Sequence, residues 1–252
     1  MSKNKNQIED KYYIFGYGSL MEKESRSRTT PNVKYIHPIK LKGYKRSWSF
    51  QNVKKGEGYS TTFLGCEKDE NSVVNGILYQ VTKEEVFKTI SREKGYDIRL
   101  INNNDISKVY DLNFKMDSNV KIFIFLNGRS NIDYNDIDPV KVFEEALNNK
   151  ELVGCTTKNS PCEEFPITQS YVDICLNGCL EIEDQFPEAK EDKFLKQFLT
   201  NTSDWFKGSK VNWVNDRIYP RRPWKFSPNA SKIDELIIEH FTLEKFKCIK
   251  IE

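Results

Sequence analysis

Two features of this 252-residue chain carry residue types that can do chemistry. The first is Phe15-Gly16-Tyr17-Gly18-Ser19-Leu20, where two glycines flank an aromatic directly after the β-prone Tyr12-Tyr13-Ile14-Phe15. Glycine lets a turn approach a partner closely, and such a turn offers several backbone amides to one anion or carbonyl oxygen. The spacing is neither G-x-x-x-x-G-K-[ST] nor G-x-G-x-x-G, which argues against a nucleotide and for something smaller. Taken alone, the same string also reads as a plain hairpin turn.

The second feature is Glu93. At about 100° per residue, Val86, Ile90 and Glu93 fall at i, i+4 and i+7, within about 60° of one another, so the carboxylate projects from an apolar helix stripe. Loss of water and the negative end of the helix dipole both raise the pKa of a carboxylate placed there, which suits it to proton transfer near neutrality. The competing reading is an ion pair with Arg92, Lys94 or Arg99, or a side chain fraying into water at the helix end.

The elements that must position these residues follow from local chemistry. Tyr12 to Phe15 reads as a strand, with further strands at 45–50, 60–64, 73–80, 109–114 and 120–126. Thr82-Lys83-Glu84-Glu85 is a capping box, so a helix starts near Lys83 and ends before Gly95. In the second half, Asp138-Pro139 opens a helix over 140–149. Further helices fit 169–182, with Tyr171, Ile174, Cys175, Gly178 and Cys179 on one stripe, and 187–200. A short helix opened by Ser231 and a strand-like 246–251 close the chain.

Apolar residues make up 38% and charged residues 30%, evenly spread, which specifies a packed globular chain. A formal charge of +2 is far from the concentrated positive field of a nucleic-acid binder. Cys66, Cys155, Cys162, Cys175, Cys179 and Cys248 form no C-x-x-C pair, and His37 and His240 are the only histidines, so reduced, non-ligating thiols are expected and no metal. No apolar run approaches the ~18 residues a membrane span requires, and the polar 1–11 segment has no apolar core of a signal peptide. A cytoplasmic location is expected.

Four strings in fixed order resemble a known family: the Phe15 to Leu20 turn, Gly43-Tyr44-Lys45-Arg46, Asn75-Gly76-Ile77-Leu78-Tyr79, and Arg92-Glu93-Lys94-Gly95-Tyr96. They are similar to the γ-glutamylcyclotransferase superfamily, closest to its ChaC branch, which acts on glutathione. Pro166-Ile167-Thr168-Gln169-Ser170-Tyr171 is similar to the family's P-S-x-x-Y helix start, with one residue too many. The resemblance spans 12–182, interrupted at about 127–165 by an insertion, and leaves 183–252 as an extension packed on the core. It implies an α+β fold with a β-barrel-like core and flanking helices, plus a C-terminal helical and aromatic extension.

By the same resemblance, the amides of Tyr17, Gly18, Ser19 and Leu20 hold a γ-glutamyl group. Tyr96 and Tyr171 join the substrate site, and Glu93 is the catalytic acid/base. No cofactor is implied, and the partner is a small γ-glutamyl molecule, with no nucleic acid or membrane. The alternative is a binding or regulatory protein that kept the fold and lost the chemistry.

The extension holds the densest aromatic and basic cluster, 213–224, with Trp213, Arg217, Tyr219, Arg221, Arg222 and Trp224. Three readings stand: a nucleic-acid surface, arginines lining the cyclotransferase pocket, and a packing segment anchored by its tryptophans, with Arg217 on Asp216 or Asp204. The last is preferred.

Overall fold

In a computed structural model, which describes residues 10–53, 60–117, 119–128, 138–148, 158–206, 212–220 and 227–251, the β-branched and aromatic runs of the first half pair into one mixed sheet. Strand β1 (Lys11–Gly16) leads into a 3-10 turn (Ser19–Met21) and helix α1 (Lys23–Ser27). Strands β2 (Ile36–Val53) and β3 (Ser60–Val81) form a long antiparallel pair, bent by register shifts at Lys42/Tyr44 and Trp48/Phe50. Helix α2 (Lys83–Arg92), β4 (Tyr96–Leu100), β5 (Ile106–Val109) and β6 (Val120–Asn127) complete this half.

Among the described residues the sheet runs β4-β6-β1-β3-β2-β5, and its two edge strands do not meet, so the core is an open sheet and not a closed barrel. Central β1 runs parallel to β6 and antiparallel to β3, with Phe15 opposite both Ile124 and Leu78. Its C-terminal end, where the glycine turn begins, is therefore held from both sides.

The second half supplies α3 (Pro139–Leu147), β7 (Ile167–Thr168), α4 (Gln169–Gln185), α5 (Pro187–Glu191) and α6 (Phe194–Thr200). Strands β8 (Thr202–Ser203) and β9 (Trp213–Asn215), helices α7 (Ala230–Phe241) and α8 (Leu243–Lys247), and β10 (Lys250–Ile251) follow. β8 pairs with β2, while β10, β9 and β7 form a small parallel sheet. Among the described residues no helix is long and apolar enough to cross a membrane.

Local signals and structure agree at α2, where Thr82 Oγ1 accepts from the Glu85 amide at 3.2 Å and Glu85 Oε2 accepts from the Thr82 amide at 3.0 Å. Gly95 closes this helix with φ +95°, a conformation that favours glycine. Asp138 caps α3 by accepting from the Val140 amide. Of the 127–165 stretch, 129–137 and 149–157 lie outside the described residues.

Tertiary context overrides the sequence in five places. The strands expected at 60–64 and 73–80 are one strand, because β2 pairs with the charged middle as well, Lys45 opposite Glu67 and Tyr44 opposite Lys68. The strand expected at 109–114 ends at Val109: Asp111 turns the chain by accepting from the Asn113 and Phe114 amides. The single helix expected over 187–200 is two, separated at Lys193, which takes a left-handed φ of 55°. Instead of one apolar stripe, α4 has every residue from 169 to 180 buried, since other elements cover it all round. At the end, α7 starts at Ala230 and is three turns long, Phe246 and Lys247 are helical, and only Lys250–Ile251 is extended.

Candidate active site

The 3-10 turn Ser19–Met21 follows β1 within three residues, with the Met21 amide donating to the Gly18 carbonyl at 3.0 Å. The Ser19 and Leu20 amides open this turn, where no earlier carbonyl of the turn accepts from them. Helix α4 packs directly on it. A Cβ on Gly178 would lie 2.7 Å from the Glu22 amide nitrogen, so only glycine lets the helix come this near.

Arg46 fixes the turn from beneath. Its fully buried guanidinium donates to the carbonyls of Tyr17 (3.1 Å), Asn75 (2.8 Å) and Phe198 (3.2 Å), to Asn75 Oδ1 (2.9 Å), and through Nε to Thr202 Oγ1 (2.7 Å). It also stacks over the Phe198 ring at 3.9 Å. Burial pushes this guanidinium down to about 10.

A cleft of about 330 Å³, including its open mouth, forms where the turn, the end of α2 and the start of α4 meet. Its lining includes Tyr17, Gly18, Ser19, Leu20, Glu93, Tyr96 and Tyr171, so all seven sequence-nominated residues face one space. Phe15, which opens the turn motif, completes the wall with Leu64 and Phe125, two apolar strand residues with nothing in the sequence to single them out.

Burial raises the pKa of Tyr17 and of Tyr96, keeping both hydroxyls protonated. Tyr17 donates to the Phe125 carbonyl at 2.6 Å and Tyr96 to the Leu64 carbonyl at 2.8 Å, so both serve as walls. Phe50 stacks on Tyr96 with centroids 4.0 Å apart. Tyr171 is buried, and its hydroxyl lies 3.2 Å from where a Gly18 Cβ would stand.

Glu93 caps the C-terminus of α2, its side chain 18% exposed. Two sequence readings of it coexist, because it lines the cleft and also pairs with Arg92, Nε to Oε1 at 3.0 Å. Arg92 is itself anchored, donating to the Ser25 carbonyl at 2.6 Å and to Ser25 Oγ at 3.0 Å. The sequence names Arg92 as a possible partner, but its tether to α1 has no local signal.

Among the described residues no three His, Cys, Asp or Glu side chains stand together as metal ligands. Of the aromatic and arginine cluster, Trp213 is fully buried and stacks on Trp205 at 5.3 Å, while 221–226 lie outside the described residues. Arg217 pairs with Asp173 and Asp234, not with the expected Asp216 or Asp204, and does not line the cleft. Asp173 on α4 is almost fully buried, and no sequence spacing relates the two.

The chain matches the family described as ChaC-like protein over residues 12–160. No curated protein is matched by sequence. Among solved structures, the chain is similar to a gamma-glutamyl cyclotransferase at 12% identity and TM-score 0.47, covering 80% of this chain and 94% of that one. It is also similar to an uncharacterized protein from Homo sapiens at 13% identity and TM-score 0.45, covering 81% and 94%. A third is a yeast gamma-glutamyl cyclotransferase specific to glutathione, at 11% identity and TM-score 0.34, covering 70% and 90%.

Proposed function

This chain belongs to the ChaC-like family, enzymes of the γ-glutamylcyclotransferase type, and from that premise we propose that it converts a γ-glutamyl substrate to 5-oxoproline and a free amine. The substrate is glutathione, a γ-glutamyl amino acid or a γ-glutamyl amine, and the reaction takes place in the cytoplasm. We take 12–182 as the catalytic core and 183–252 as an extension packed on it. The observation that carries the reading is the cleft itself, in which a turn rich in backbone amides, an arginine-paired carboxylate and two tyrosines converge from separate parts of the chain.

The chemistry is intramolecular. The substrate's α-amine attacks its own γ-carbonyl carbon, a C–N bond closes the five-membered lactam, and the bond to the next residue's nitrogen breaks. Attack within one molecule needs orientation and a proton carrier, and no nucleophilic side chain. Glu93, held by its pairing with Arg92, accepts the proton from the α-ammonium and returns it to the departing amine. The amides of Tyr17, Gly18, Ser19 and Leu20 hold the γ-glutamyl group, with Tyr96 and Tyr171 as flanking walls.

The test is incubation of the purified protein with glutathione, a panel of γ-glutamyl dipeptides and γ-glutamyl-lysine, followed by mass spectrometry for 5-oxoproline. Glu93→Gln, nearly isosteric but unable to carry the proton, is expected to keep substrate affinity and lose about 10²- to 10⁴-fold in turnover. No product from any substrate overturns the enzyme reading, and undiminished turnover in the variant moves the base elsewhere.

A further inference from the structure

The first turn of α4 is capped from far away in the chain. Its N-cap residue, Thr168, gives no side-chain cap. In its place Asp216, fully buried, accepts from the Ser170 amide at 2.7 Å and from the Ser170 hydroxyl at 2.6 Å. Pairing of β7 with β9, Ile167 opposite Trp213 and Thr168 opposite Val214, delivers that carboxylate to the helix start. A buried carboxylate is favoured there, because the amides of a helix start point outward and the hydrogen bonds are charge-assisted.

The residue following Ser170 is Tyr171, which lines the cleft. Its ring stands edge-on to Phe63 at 4.9 Å and to Trp48 at 5.8 Å. Trp48 in turn packs edge-on against Trp205 at 5.0 Å, which stacks on Trp213. Tyr171 is thus held on one side through the preceding residue, Ser170, which Asp216 grips, and on the other through its ring by an aromatic chain that leads to Trp205 and Trp213. Asp216, Trp205 and Trp213 all belong to 183–252, and none of them lines the cleft.

We propose that Asp216 is a positioning residue for the cyclisation, holding Tyr171 against Gly18, so that the C-terminal extension completes the pocket it does not line. This rests on the function proposed above. Asp216, Ser170 and Tyr171 all lie beyond the 12–160 stretch that carries the family match.

The test compares Asp216→Ala, Asp216→Asn, Tyr171→Phe and the Asp216→Ala/Tyr171→Phe double variant. Asp216→Ala is expected to lower kcat/KM about tenfold, since a misplacement of about 1 Å costs on the order of 10²-fold. Asp216→Asn is expected to restore most of it: its oxygen accepts from the Ser170 amide and its NH2 donates to the Ser170 hydroxyl oxygen. In the Tyr171→Phe background, Asp216→Ala is expected to cost less than about twofold further, because residues acting through one another are not additive. Unchanged kcat/KM in Asp216→Ala, or the same factor in both backgrounds, overturns the proposal. A role in stability alone would lower Tm equally in both.

An arm independent of turnover follows the nuclear Overhauser contact between the Tyr171 ring and the Gly18 α-protons. It is expected to weaken in Asp216→Ala and survive in Asp216→Asn, the latter serving alone if the alanine variant does not fold. Loss of the contact in Asp216→Asn with Ser170 amide protection retained also overturns the proposal. A wild type that releases no 5-oxoproline sinks the function reading, while this contact still decides the role of Asp216.

Discussion

Replacing Gly178 with alanine sets two effects of similar size against each other. An alanine within a helix is favoured over glycine by about 1 kcal/mol. The new methyl, however, would stand 2.7 Å from the Glu22 amide nitrogen, 2.9 Å from the Met21 carbonyl carbon and 3.0 Å from Met21 Cβ, the nearest of them about 0.7 Å short of ordinary contact at 3.4 Å. Two of these three atoms are backbone, at the exit of the Ser19–Met21 turn, so no flexible side chain can swing aside. Overpacking of this kind costs about 1–3 kcal/mol. The net expectation is a loss of up to about 2 kcal/mol, with Tm falling about 2–4 °C per kcal/mol for a chain of this size.

Catalysis should suffer more than stability. Tyr171 lies seven residues before Gly178, two turns along the same face of α4, so a helix pushed off the turn takes Tyr171 with it. With a 1 Å misplacement worth on the order of 10²-fold, a shift near 0.7 Å predicts a loss of tenfold or more in kcat/KM. Initial rates of 5-oxoproline release, read beside thermal unfolding, make the comparison. A variant stabilised by about 1 kcal/mol with wild-type kcat/KM would refute the reasoning, since the helix–turn contact would then have slack.

Two further predictions concern groups outside the cleft. For Arg46→Met, relief of the guanidinium's burial, worth about 3 kcal/mol from its fall to about 10, opposes the stranding of buried acceptors at about 1–3 kcal/mol each. The acceptors are more numerous, so urea unfolding should register a net loss of roughly 3–5 kcal/mol, and a neutral result would contradict the assignment of those hydrogen bonds. Burial opposes it, but hydrogen bonds from Lys108, Lys40 and Tyr110 hold the Asp192 carboxyl well below its ordinary value. Because the folded value is the lower one, the stabilisation is present above about pH 4 and is lost as pH falls through the folded value. Asp192→Asn should therefore cost about 1 kcal/mol at pH 7, discounted for exposure, and the two unfolding midpoints should converge in acid; a gap that persists there would contradict this.

The parts of the molecule legible in the sequence are those set by neighbours within a few residues. The Thr82 to Glu85 capping box, the closure at Gly95 and the strand ahead of Gly16 all depend on local hydrogen bonds or backbone freedom. The charged middle of β3 is not legible, because its strand conformation is imposed by β2. Nor is the break at Lys193, in a run that reads as one helix. At the site the nominated residues are legible by type and order, whereas what fixes them is not: Ser25 holding Arg92, Arg46 beneath Tyr17 and Asp216 on Ser170 all join positions distant in sequence.

Placing β1 between β3 and β6 has a consequence for when the cleft exists during synthesis. The wall is assembled from residues near 17, 64, 93, 125 and 171, and the start of the helix that carries Tyr171 is capped by residue 216. A nascent chain that has not yet reached residue 171 therefore lacks part of the wall around Glu93. Contacts spanning so much of the chain also put its folding among the slow topologies.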